Sequence, residues 1–192
     1  MKEKNKIALW MGFLAVIVLV CSSSVYAEKW SAFEFKGDEL YQYQIQWGDD
    51  ELNTAIYTLK IEETADQKYM VEYGTKVEVD ELSSELAFGY WGAYGPSLHL
   101  MFWNPMYQML FSQLELKVGE QMSYYDMGKM QVTSKETIAG RTGYVCRLIG
   151  PNNGEPKAEW VIDPNLALPL RSNMLEENGN QAEIVLLKYE QL

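Results

Sequence analysis

The sequence predicts a mainly β (α+β) fold: a curved antiparallel sheet or incomplete β-barrel with one or two helices over its concave face. Period-two alternation of apolar and polar residues recurs along both halves of the chain, and Gly, Asn, Asp and Pro punctuate it at short intervals. One uncharged, aromatic-rich segment in the middle interrupts that pattern.

The opening residues stand apart from the fold. Lys2, Lys4 and Lys6 make a positive start, Ile7 to Val20 is apolar to weakly polar, and Val25-Tyr26-Ala27 puts small residues where a signal peptidase reads. The expectation is a signal peptide over 1–27, cleaved after Ala27, with 28–192 a single β-rich domain carrying a helical, apolar insertion at about 82–114. An uncleaved anchor is the rival, but the apolar run is short against the roughly 20 residues needed to span a bilayer. Val18-Leu19-Val20-Cys21 resembles a lipidation box, except that Val20 stands where Gly, Ala or Ser is usual.

Losing 1–27 removes three Lys and one Glu and takes the net charge from -11 to -13. A field of that sign repels nucleic acid and anionic headgroups, so nucleic-acid binding is excluded. Cys146 is then the one remaining cysteine and cannot form an internal disulfide. Its place in the apolar run Tyr144–Ile149 predicts a buried thiol, with intermolecular pairing the alternative.

Leu40 to Trp47 alternates Tyr41, Tyr43, Ile45 and Trp47 with Gln42, Gln44 and Gln46, a half-buried strand. Gly48 to Glu51 turns the chain, and Ala55, Tyr57, Leu59 and Ile61 repeat the pattern. Tyr69, Val71, Tyr73, Val77 and Val79 give a third strand with a bulge or bend expected at Gly74. Further strands are predicted around 122–125, 130–136, 143–149, 158–162 and 170–175, with turns at 126–128, Ala139-Gly140 and 150–154. Asn178-Gly179 reads as a type I′ turn closing a hairpin onto 181–189. The count is about nine strands in a meander.

Leu86 to Leu114 contains no Asp, Glu, Lys or Arg. Gly89, Gly92, Gly95, Pro96 and Pro105 divide it, so it is not a transmembrane helix. Helical pieces are expected from Ser83 or Ser84 to about Tyr90, from Ser97, and again over Met106 to Leu114. Such a segment serves as core, as a lid, or as a docking surface, because a large apolar patch left in water is unfavourable.

No catalytic motif competes with it. His99 is the only histidine, and G-x-S-x-G, a Walker loop and a Cys pair are missing from the sequence. Asp49-Asp50-Glu51 and Glu176-Glu177 read as acidic turns rather than calcium loops. The chain is therefore expected to be no enzyme and to need no cofactor or metal.

The C-terminal part resembles exported bacterial β-proteins related to the outer-membrane lipoprotein carriers. The residues that carry this are Val118-Gly119-Glu120, Thr137-Ile138-Ala139-Gly140 before Tyr144 to Leu148, Glu159-Trp160-Val161-Ile162-Asp163-Pro164, then Leu168-Pro169-Leu170-Arg171, and a closing hairpin with Tyr189. The resemblance covers Val118 to Leu192, and Ala167 replaces the usual Gly. It implies an incomplete barrel with helices plugging its concave face, which in carriers opens to receive acyl chains; the carriers' cavity Arg has no counterpart placed here.

The leading functional reading is an exported, periplasmic or secreted binding protein for an apolar ligand: an acyl chain, lipid or lipoprotein. Phe88, Trp91, Met101, Phe102, Trp103, Met106, Met109 and Phe111 are its candidate apolar lining, since thioethers and aromatics re-pack around irregular ligands. The alternative is a cell-envelope scaffold that docks on a protein partner or membrane surface through 86–114, without being integral to the membrane.

Overall fold

A computed structural model describes residues 28–47, 54–64, 68–76, 106–125, 127–151, 154–176 and 179–192. The expected elements at 83–90 and 97–104, the turns at 48–51 and Asn152-Asn153, Val77, Val79 and His99 lie outside them. The strands are β1 (Glu39–Trp47), β2 (Thr54–Glu63), β3 (Tyr69–Lys76), β4 (Gln121–Tyr124), β5 (Gly128–Ile138), β6 (Arg141–Ile149), β7 (Pro156–Ile162), β8 (Arg171–Glu176) and β9 (Gly179–Gln191). One short helix, α1 (Met106–Phe111), precedes β4 and occupies the first part of the helix expected over 106–114.

All nine strands form one antiparallel sheet in the order β3-β2-β1-β9-β8-β7-β6-β5-β4. Among the described residues the sheet is open, with β3 and β4 as its ends. The strand count matches the sequence, but the topology is two meanders joined where β1 pairs with β9. Register shifts at Gln42/Tyr43, Val132/Ser134, Leu148/Ile149 and Met174/Leu175 add twist and curl the sheet.

The turns follow local chemistry. Ala139 and Gly140 both have positive φ, 50° and 76°, and join Ile138 to Arg141 as a two-residue type I′ hairpin whose sense of twist matches the strands. The β8–β9 hairpin is one residue out from the predicted centre: Glu176 pairs with Gly179, so Gly179 belongs to the strand. Gly74 makes no bulge either. It pairs in unbroken register with Thr58, because a side chain is not required of an exposed strand position.

Two apolar clusters hold the molecule together, and β6–β7 is the wall between them. Tyr144, Val145 and Cys146 are buried consecutively, as are Trp160, Val161 and Ile162. Val145 and Val161 face one cluster with Tyr41, Tyr43, Leu59 and Ile184. Tyr144, Cys146, Trp160 and Ile162 face the other with Trp30, Tyr107, Phe111 and Met130. A strand buried on both faces reads as a continuous apolar run, which is how Tyr144-Val145-Cys146 and Trp160-Val161-Ile162 read.

The loop after β7 is itself core, with Leu166, Ala167, Leu168 and Leu170 all buried. A buried loop needs partners for its backbone. Leu170 N–H donates to Val161 O (2.7 Å), Leu186 N–H to Leu170 O (2.8 Å) and Phe33 N–H to Ala167 O (2.8 Å). Trp30 Nε1 donates to Leu166 O (2.6 Å) and Tyr43 OH to Pro169 O (2.9 Å). Distant aromatics thus replace the water this loop gives up.

Candidate functional site

The inner face of the sheet is built by one parity of residues on β1 and β2. Tyr41, Tyr43 and Ile45 alternate with glutamines, and Ala55, Tyr57, Leu59 and Ile61 lie opposite, all buried. Cross-strand partners share a face, so β3 continues that face with Tyr73 beside Leu59, Val71 beside Ile61 and Tyr69 beside Glu63. Here burial stops. Tyr69, Val71 and Tyr73 are 56%, 47% and 71% exposed, although the register places them on the core side.

Helix α1 belongs to the second cluster, packed with Trp30, Tyr144, Cys146 and Trp160. Tyr107, Leu110 and Phe111 point inward. Phe111 stacks edge-on against Trp30 (5.1 Å) and Trp160 (5.7 Å), and Tyr107 meets Trp160 edge-on at 6.2 Å. These separations are direct contact, within the range in which aromatic pairs attract. Tyr107 OH and Ser172 Oγ lie 3.3 Å apart and share a hydrogen bond, and burial raises the Tyr107 pKa. Tyr124 OH donates to Leu110 O, which fastens the helix end to β4. On the outer side Met106 and Met109 are 37% and 51% exposed.

The sequence-derived lining therefore divides. Phe111 is buried between Trp30 and Trp160, and Met106 and Met109 come together on the open side of α1, three residues apart. Phe88, Trp91, Met101, Phe102 and Trp103 lie outside the described residues. Sequence reasoning missed Tyr69, Val71 and Tyr73 as an open surface, and Trp30 and Phe33 as packing partners of α1. The available signal for the first was Glu72, Gly74 and Lys76, since charges and glycine mark edge strands.

The carboxylates of Glu39, Glu136, Glu159 and Asp163 each have side-chain partners. Buried Glu39 accepts from Tyr189 OH (2.9 Å), Tyr41 OH (3.1 Å) and Lys36 N–H (2.9 Å). Burial, with Glu39 close by, pushes Tyr189 up to about 12 and Tyr41 higher still. Arg141 donates to Asp163 at 2.7 Å and lies over the Tyr189 ring. Arg171 grips Glu136 through both terminal nitrogens (2.7 and 2.9 Å) and Glu159 at 2.6 Å, while Arg147 takes the other Glu159 oxygen at 2.5 Å. Bidentate pairing of this kind ties β5, β6, β7 and β8 together. Cys146 is buried and unbonded to another cysteine, and burial pushes its thiol up to about 12. Among the described residues, no group of His, Cys, Asp or Glu is placed to hold a metal ion, and no helix is long and apolar enough to cross a membrane.

No family model matches the chain, and no curated protein does. Among solved structures the chain is similar to a crystal structure of MucB, at TM-score 0.44 and 13% identity over 83% of this chain and 55% of that one. It is similar to MucB in complex with MucA(peri) at TM-score 0.44 and 13% identity, covering 81% and 50%. The complex structure of Pseudomonas aeruginosa MucA/MucB follows at TM-score 0.39 and 11% identity, covering 81% and 52%. The chain spans about half the length of those MucB chains.

Proposed function

We propose that the protein is an exported, extracytoplasmic binding protein for an apolar ligand, an acyl chain, lipid or lipoprotein acyl group, and that it performs no chemical step. One observation carries the reading. The inner apolar face runs past the packed core onto β3, where Tyr69, Val71 and Tyr73 meet solvent at 56%, 47% and 71% exposure. Contiguous apolar side chains on a highly charged molecule mark an interaction surface, and tyrosine offers an apolar ring with a polar tip. The signal-like opening supports a role outside the cytoplasm.

Organic extraction of purified protein followed by mass spectrometry tests this directly, with a co-purifying lipid the expected result. A second reading, a cell-envelope scaffold, is favoured by the unpaired edge of β3 among the described residues. A protein that extracts clean of lipid yet floats with liposomes or elutes with an envelope partner would favour the scaffold.

A further inference from the structure

β3 ends the sheet, and among the described residues its outer edge pairs with no other strand. All eight of its residues are exposed, and a flat edge carrying large apolar side chains is a template for another strand. Its second face presents Glu72 and Lys76, placed symmetrically about Gly74. Gly74 has open space where a Cβ would sit, beside a shallow depression of about 230 Å³ bordered by Leu40, Thr58 and Lys76.

That arrangement is self-complementary. Two antiparallel copies of β3 related by a two-fold axis can set Gly74 against Gly74, and then Glu72 of each copy faces Lys76 of the other while Tyr73 faces Thr75. Centring the pairing on Glu72 instead opposes Glu72 to Glu72 and Lys68 to Lys76, and like charges across a ladder destabilise it. Centring on Tyr73 leaves Lys76 opposite Met70 and makes no ion pair. The charges therefore select both the partner and the register.

We propose that β3 is a homodimerisation edge, joining two copies of this chain through an antiparallel β3–β3 ladder centred on Gly74. The proposal uses the strand edge and the second face, so it stands independently of ligand binding on the inner face. The net charge of -11 on each copy opposes association, but screening over about 8 Å at physiological ionic strength leaves contact pairs as the larger effect. A ladder this short gives a weak, reversible dimer.

Sedimentation velocity from low micromolar to high micromolar concentration reads it out. The natural sequence should show a concentration-dependent dimer. Glu72→Lys sets lysine against Lys76 and Lys76→Glu sets glutamate against Glu72, and each should weaken self-association about tenfold. Mixed together, the two variants should dimerise again, because every facing pair is once more of opposite sign. Glu72 also stands opposite Lys60 within the chain, whereas Lys76 stands opposite Ile56. Lys76→Glu on its own thus remains a valid test if Glu72→Lys folds poorly. A monomer at all concentrations, a dimer indifferent to Lys76→Glu, or folded single variants whose mixture stays monomeric would each overturn the proposal.

Discussion

Gly128 is held glycine by the backbone of the next hairpin: a Cβ there would stand 2.0 Å from Ile149 O, and its φ is 110°. Gly128→Ala must push a strand aside, and a loss of about 3 kcal/mol or more in chemical denaturation is expected. Ala139 is the opposite case, a side chain held at φ 50° where Asn is better tolerated. Ala139→Asn should gain about 0.5 to 1 kcal/mol by the same measurement. Titration gives a third expectation. Burial raises Cys146 and Tyr189 to about 12 in the folded protein, and Tyr41 and Tyr43 also lie above their ordinary values. For acids whose folded pKa is raised, the unfolded chain loses protons first, so stability is complete below the unfolded values, about 8.5 for Cys and 10 for Tyr, and falls as pH rises toward 12. Tyrosinate absorbance from the buried rings should then appear together with the loss of near-ultraviolet circular dichroism. Ionisation of those rings well before unfolding would contradict this placement.

At the scale of elements, α1 is held by aromatic packing rather than by its length. Six residues are too few to be stable alone, so tertiary contact must fix it. Phe111→Ala should cost about 3 to 5 kcal/mol, the usual cost of deleting a large buried aromatic, and leave Met106 and Met109 without a platform. A thermal melt within two or three degrees of the unmodified protein would show that the helix is not core. The strands were legible where one face is buried: Tyr41, Tyr43 and Ile45 against the intervening glutamines give their own register. The loop Leu166–Leu170 was not, because its burial depends on donors from Trp30, Phe33, Tyr43 and Leu186, far away in the chain. The exposure of β3 was legible only in part. Tyr69, Val71 and Tyr73 alternate as a core strand does; Glu72 and Lys76 on the other face are the local mark of an edge, and the end position in the described sheet makes it plain.

Across the whole molecule, the pairing of β1 with β9 places β3 at one end of the sheet and β4 at the other. Local sequence patterns specify faces and turns; they do not specify which strands become neighbours across most of the chain's length, so the terminal pairing was beyond them. It leaves β3, with the exposed side chains of Tyr69, Val71 and Tyr73, at the sheet end. This is the surface proposed to bind an apolar ligand. Titration with a fluorescent fatty acid, comparing the unmodified protein with a Tyr69→Ser, Tyr73→Ser double variant, tests it most directly. Both rings are more than half exposed, so the variant should melt at nearly the same temperature. Saturable binding that the double variant weakens at least about tenfold is expected, since each buried ring contributes on the order of 1.5 kcal/mol or more; no binding, or equal binding by a folded variant, would overturn the proposed function.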